Sequence, residues 1–120
     1  MDSKIKNLPR IFKTAWFTKA AKKAYISDKE LAAAILQVMQ GQADDLGGGV
    51  FKKRLNDNRH RSIIVAKTGR FWIYTYLFAK KDRDNIDVDE LREFKKIASS
   101  YNEVIIDTEL KNGDLLEIFL

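Results

Sequence analysis

The chain contains no cysteine, one histidine and one proline among its 120 residues, and each shortage removes a class of explanation. Without thiols there is neither a disulfide framework nor a thiolate metal site, and His60 alone leaves a zinc site short of ligands. No metal and no cofactor are expected. With one proline, no internal repeat and no low-complexity tract, nothing reads as a linker, and residues 1–120 are expected to form one domain. No apolar run approaches the roughly 20 residues that cross a bilayer, so no membrane partner is expected. The opening "MDSKIKNLPRIFKTAWF" has neither an uninterrupted apolar segment nor a small-residue cleavage site, and the expected location is the cytoplasm. Catalytic letters are as sparse. Nothing supports a Ser-His-Asp or Cys-His triad, and no Gly-Lys-Ser/Thr follows the glycines at 47–49.

What is present is charge, and it is segregated. The formal total is +5, distributed as +6 over residues 1–27, −3 over 28–49, +8 over 50–83 and −6 over 84–120. Ten Lys/Arg against two Asp in residues 50–83 exceed what a mixed solvated surface requires and favour a polyanionic partner. The competing reading is a basic face that serves only solubility.

Periodicity divides the chain into helices and strands. Residues 14–25 carry Trp16, Phe17, Ala20, Ala21 and Ala24 on one stripe and Lys19, Lys22 and Lys23 on the other, which predicts a short amphipathic helix. Ser27 stands three residues before Glu30, the capping-box spacing, and Leu31, Ile35, Val38 and Met39 follow at helical intervals up to Gly41. Trp16 and Met39 are expected in the core. From Val50 the period becomes two, with Lys52 and Arg54 on one side and Phe51, Lys53 and Leu55 on the other. "RSIIVA" and "FWIYTYLFA" complete an antiparallel meander, Asp87 and Glu90 repeat the cap pattern before a third helix through Tyr101, and "DLLEIFL" reads as a final strand. The expectation is an α+β fold: two N-terminal helices on one face of a twisted antiparallel β-sheet, with a further helix after the central meander. The three glycines lead into a strand, whereas a phosphate loop leads into a helix, so they are read as a turn.

Cations and aromatics are concentrated together. Lys53, Arg59, His60, Tyr74, Tyr76, Lys80 and Arg83 are candidate RNA-binding residues, because lysine and arginine neutralise phosphates while aromatic rings stack exposed bases. Of the two parities of "FWIYTYLFA", the one with Trp72, Tyr74, Tyr76 and Phe78 is expected to be exposed.

The run "DLGGGVFKKR", with "RSIIVA" and "FAKKDRDNI", resembles the RelE/HigB branch of bacterial toxin–antitoxin toxins, and the similarity extends from about residue 12 to the C-terminus. The resemblance implies a RelE-like, microbial ribonuclease-like fold and cleavage of mRNA in the ribosomal A site. It also implies neutralisation by a cognate antitoxin, a HigA-like helix-turn-helix protein through which alone operator DNA would be contacted. This antitoxin either covers the basic sheet at Lys52, Arg54 and Arg61 or, the mode favoured here, docks on the N-terminal helices around Lys19, Lys22 and Lys23. By position it implies catalytic roles for Lys52, Arg54, Arg61 and Lys81: Lys52 and Arg54 from the basic strand, Arg61 at the reacting phosphate, Lys81 where the family often has arginine. Asp87 stands near a family tyrosine, and "NRH" replaces Gly-Gly-Tyr before the matching arginine. Such a set suffices chemically, since RNA supplies its own 2′-OH nucleophile and the protein need only orient it, move protons and stabilise phosphorane charge. Lys52 or Lys53, beside other cations, is the candidate base. A ParE-type inhibitor of DNA gyrase and a noncatalytic basic adaptor for nucleic acid or an acidic partner remain alternatives.

Overall fold

A computed structural model describes residues 9–119. A short strand, β1 (Arg10–Thr14), runs directly into α1 (Ala15–Lys23), whose start is fixed by Thr14: its hydroxyl accepts a hydrogen bond from the Phe17 amide at 3.0 Å. Tyr25 turns the chain through φ 59°, and Ser27 caps α2 (Asp28–Met39) by accepting from the Glu30 amide. The meander consists of β2 (Asp44–Gly47), β3 (Val50–Leu55), β4 (His60–Lys67) and β5 (Phe71–Ala79). Asp87 and Glu90 form a reciprocal capping box at α3 (Val88–Ser100). Next come α4 (Glu103–Asn112), capped by Asn102, and β6 (Leu115–Ile118). The expected final strand extends to Leu120, which lies outside the described residues, as do residues 1–8 of the N-terminal segment read for a signal peptide.

The strands form one sheet in the order β2-β3-β4-β5-β1-β6, with β1 parallel to β5 and every other pair antiparallel. The α+β class is as expected, but the sheet is mixed and helices lie on both faces. Ile11, Phe17, Leu31, Ile35, Ile64, Trp72 and Tyr74 pack beneath α1 and α2. Phe12, Val50, Ile63, Val65, Ile73, Ala98, Ile106 and Leu115 pack beneath α3 and α4. The physical reason is in β1, β4 and β5, which are apolar at both parities, so that neither face can be left to water. Gly47, Gly48 and Gly49 form the turn between β2 and β3, all with positive φ.

A bulge in β5 decides which aromatics face where. Ile63 pairs with Tyr76 but Ile64 with Tyr74, so Thr75 is an extra residue, and its hydroxyl donates to the Ile63 carbonyl at 2.8 Å. Trp72 and Tyr74 therefore face α1 and α2, while Tyr76 and Phe78 share the opposite face with Ile63. The expected exposure of the whole tyrosine parity is overturned. Tyr74 is fully buried and its hydroxyl donates to the Leu31 carbonyl at 2.7 Å, so it cannot stack a base. Burial, helped by Glu30, holds its phenol neutral far above the ordinary tyrosine range. Tyr74→Phe is expected to cost about 1 kcal/mol in urea unfolding and to leave RNA affinity unchanged; a selective loss of affinity would contradict the buried assignment.

Candidate nucleic-acid interface

The loop between β3 and β4 is built on three consecutive left-handed residues, Asn56, Asp57 and Asn58, with φ 57°, 53° and 70°. Asn and Asp tolerate that conformation better than other side chains, and the loop is tied down. The Asn56 amide donates to Glu30 Oε2 at 2.5 Å, and its Nδ2 reaches the Ala24 carbonyl at 3.3 Å and His60 Nδ1 at 3.1 Å. Arg59 donates to both the carbonyl and Oδ1 of Asn56. Because Oδ1 is the acceptor for Arg59, Nδ2 is the donor towards His60, which leaves the proton of a neutral imidazole on Nε2.

Register then gathers one set of cations. Arg54 lies opposite Arg61, Arg61 opposite Phe78, and Lys52 two residues from Arg54 opposite Ile63, all on the face of α3. Arg61 is only 8% exposed. Its Nη1 donates to the carbonyls of Asn58 and His60 at 3.0 and 3.2 Å, and no carboxylate accepts from it among the described residues. Lys52, its side chain 15% exposed, sits 3.6 Å from Asp44 Oδ2. Like charges directly opposite on neighbouring strands are destabilising, and a nearly buried guanidinium without a counter-ion is costly. An anion between Arg54 and Arg61 removes both penalties.

Other predicted residues fall elsewhere. Lys53 projects to the opposite face beside Ser62, donates to the Gln42 carbonyl at 3.0 Å, and has its pKa lowered by burial and by Arg54. It is thus separated from the Arg54–Arg61 pair. Arg83 donates to Glu90 at 2.5 and 3.1 Å and to the Tyr76 hydroxyl at 3.4 Å, and its guanidinium carbon lies 5.4 Å from the Phe78 ring centre. Those bonds raise the pKa of Arg83 and lower that of Glu90; Arg83 orients Tyr76 with its charge already matched. Lys23, Arg59, His60, Lys80 and Lys81 line a separate cleft at the end of the sheet, so Lys81 belongs with His60. Lys19, Lys22 and Lys23 are exposed on α1.

Trp16 and Met39 were expected in the core, but Met39 is 37% exposed and Trp16 is 51% exposed, stacked on Tyr76 with ring centres 5.2 Å apart. Phe17 takes the buried position in place of Trp16. The available signal was the adjacency of Trp16 and Phe17: neighbours are about 100° apart on a helix, so both cannot point to the centre of one stripe.

Burial first, then Arg59 and Lys81, outweigh Glu30 and Asp82 and set the His60 pKa below its ordinary value. The unfolded chain therefore binds a proton at His60 more readily than the folded one, and stability falls as pH drops below about 6.5. The melting temperature is expected to decline between pH 7 and 5, less so in His60→Gln; an identical decline in both would remove His60 as the cause.

A family model described as the RelE toxin of the RelE/RelB toxin–antitoxin system matches residues 9–118. The chain belongs to the RelE toxin family. No curated protein and no solved structure gives a significant match. As a RelE-family toxin it is the toxin half of a toxin–antitoxin pair, which implies a cognate antitoxin. Among the toxin's described residues, no helix is long and apolar enough to cross a membrane, and no group of three His, Asp or Glu is placed to hold a metal ion.

Proposed function

We propose that this toxin is a ribosome-dependent mRNA endonuclease of the cytoplasm that inhibits translation by cutting the message in the A site. The observation that carries the reading is the Arg54–Arg61 pair, opposed across two strands with no carboxylate accepting from Arg61 among the described residues. In the mechanism, these guanidinium groups bind the scissile phosphate and stabilise the charge that develops as the 2′-OH attacks phosphorus. Lys52 and Tyr76 lie in one row across the sheet, on either side of Ile63. They are two inter-strand spacings apart, ~10 Å, which leaves room for one phosphodiester. Lys52, in its neutral form, takes the proton of the 2′-OH, and Tyr76, whose oxygen accepts from Arg83 while its O–H is left to donate, protonates the departing 5′-oxygen. The products are a 2′,3′-cyclic phosphate and a 5′-hydroxyl, and no metal takes part.

A HigA-like helix-turn-helix antitoxin would dock on α1 through Lys19, Lys22 and Lys23 and carry any contact with operator DNA. Purified toxin added to a translation reaction should arrest synthesis and leave the mRNA cut only when ribosomes are present. Intact message, with DNA gyrase supercoiling blocked, would replace this reading with that of a ParE-type inhibitor.

A further inference from the structure

Beyond Tyr74, β5 continues without β1 beside it, because β1 pairs only with residues 71–74. Alongside that free edge, α1 and β5 enclose a cleft of about 600 Å³ in which Trp16 and Tyr76 form one wall. It continues through His60 into the cationic cleft of Lys23, Arg59, Lys80 and Lys81. We propose that this cleft is a nucleotide subsite, in which a base of single-stranded RNA stacks on Trp16 and the adjoining phosphate is held by Lys23 and Lys81. The inference rests on the endonuclease reading above and extends it to RNA beyond the scissile bond.

Three features suit a nucleotide. Trp16 is half exposed although its ring already rests on Tyr76, which rests in turn on Phe78 at 5.8 Å, so the indole is a supported platform open to a further ring. His60 Nδ1 is occupied by Asn56, and Nε2, a donor in that tautomer, has no partner among the described residues. A base carbonyl or a phosphate oxygen completes it. The cations outnumber the acids of the cleft, Asp57 and Asp82, which is the complementarity a phosphodiester needs. The cleft is also continuous with the catalytic face, since Phe78 lies opposite Arg61 and beneath Arg83. RNA bound between Arg54 and Arg61 can pass over Phe78 and the free edge of β5 without leaving the protein.

The test uses a 2′-O-methyl oligoadenylate, which lacks the nucleophile and so reports binding alone. It should quench the tryptophan emission of the wild-type toxin but not of Trp16→Phe, because Trp72 is buried. Trp16→Ala should weaken its affinity by about tenfold, and Trp16→Phe should restore most of it, as expected for base–aromatic stacking. In ribosomal cleavage, Trp16→Ala should raise KM by a similar factor. Trp16→Phe, which keeps a ring against the general acid Tyr76, should restore KM with kcat within about twofold of the wild type, the signature of a contact made equally in ground and transition states. Lys81→Ala should bind more weakly with a shallower salt dependence. Unchanged oligonucleotide affinity and KM in Trp16→Ala, with cleavage intact, would overturn the subsite and leave the endonuclease standing. Antitoxin binding lost in Trp16→Ala at unchanged RNA affinity would overturn it too and give the cleft to the antitoxin. Quenching by a wild-type toxin that cuts no message would support the subsite while the endonuclease reading fails.

Discussion

Arg61→Ala is expected to lower mRNA cleavage on the ribosome by about a hundredfold or more, the usual loss when one donor to a developing oxyanion is removed. Only Nη1 of Arg61 is spent on the loop carbonyls; Nε and Nη2 have no protein acceptor among the described residues and are free for a phosphate. Because Arg61 also holds the β3–β4 loop, a lost activity alone would be ambiguous. Arg54 resolves it, being exposed and without a hydrogen-bonded partner among the described residues. Arg54→Ala relieves a like-charge cross-strand pair, so it should leave stability unchanged or raise it by up to about 1 kcal/mol, while cleavage falls at least tenfold. A variant that is both more stable and less active is the mark of a site selected against stability. Arg61→Lys keeps the charge but loses the planar fork and should recover only part of the rate. If Arg54→Ala and Arg61→Ala both cut message at the wild-type rate with unchanged melting curves, the proposed active face is wrong.

What could be read in the sequence was what depends on near neighbours. Ser27 with Glu30 and Asp87 with Glu90 announced their helices because a cap and the amide it satisfies lie within one turn. Lys52 and Arg54 shared a face because strand period is two, and their joining Arg61 needed only a short hairpin. What could not be read depends on distant pairing. "RIFKT" is too short to show a period, and it becomes β1 only by lying between Phe71–Tyr74, to which it is parallel, and β6, to which it is antiparallel. The parity of β5 was misjudged because alternation was carried through Thr75, where the bulge reverses it and sends Tyr74 inward while Tyr76 stays on the cationic face. "EVIIDTELKN" has a local cap in Asn102 and a left-handed end at Gly113, yet its consecutive Val104, Ile105 and Ile106 are as compatible with a strand as with a helix. Lys81 was grouped with Arg61 by the family resemblance; the turn after β5 places it along the cleft of His60.

The largest effect on stability is expected at Gly49. Its φ is +81°, and a Cβ built there would stand 2.6 Å from the Ala66 carbonyl oxygen and 3.3 Å from the Ala98 methyl of α3. The same residue's carbonyl accepts from the Ala66 amide at 2.7 Å, so Ala66 cannot retreat without loosening the β3–β4 ladder beside Val50 and Val65. A left-handed alanine costs about 1–2 kcal/mol by itself, and the overlap is with backbone, which has no rotamer to relieve it. Gly49→Ala should therefore lose at least about 3 kcal/mol, a large part of the 5–15 kcal/mol that holds a typical domain. Gly69 supplies the comparison, because its φ is +71° and nothing among the described residues lies within 4 Å of its Cβ position. Gly69→Ala should cost only the conformational 1–2 kcal/mol, roughly the price of positive φ. Urea unfolding of the two variants separates strain from collision. Equal losses would mean that α3 and β4 move aside freely, and the close approach at Gly49 would then have no part in keeping Lys52, three residues along β3, in register with Ile63.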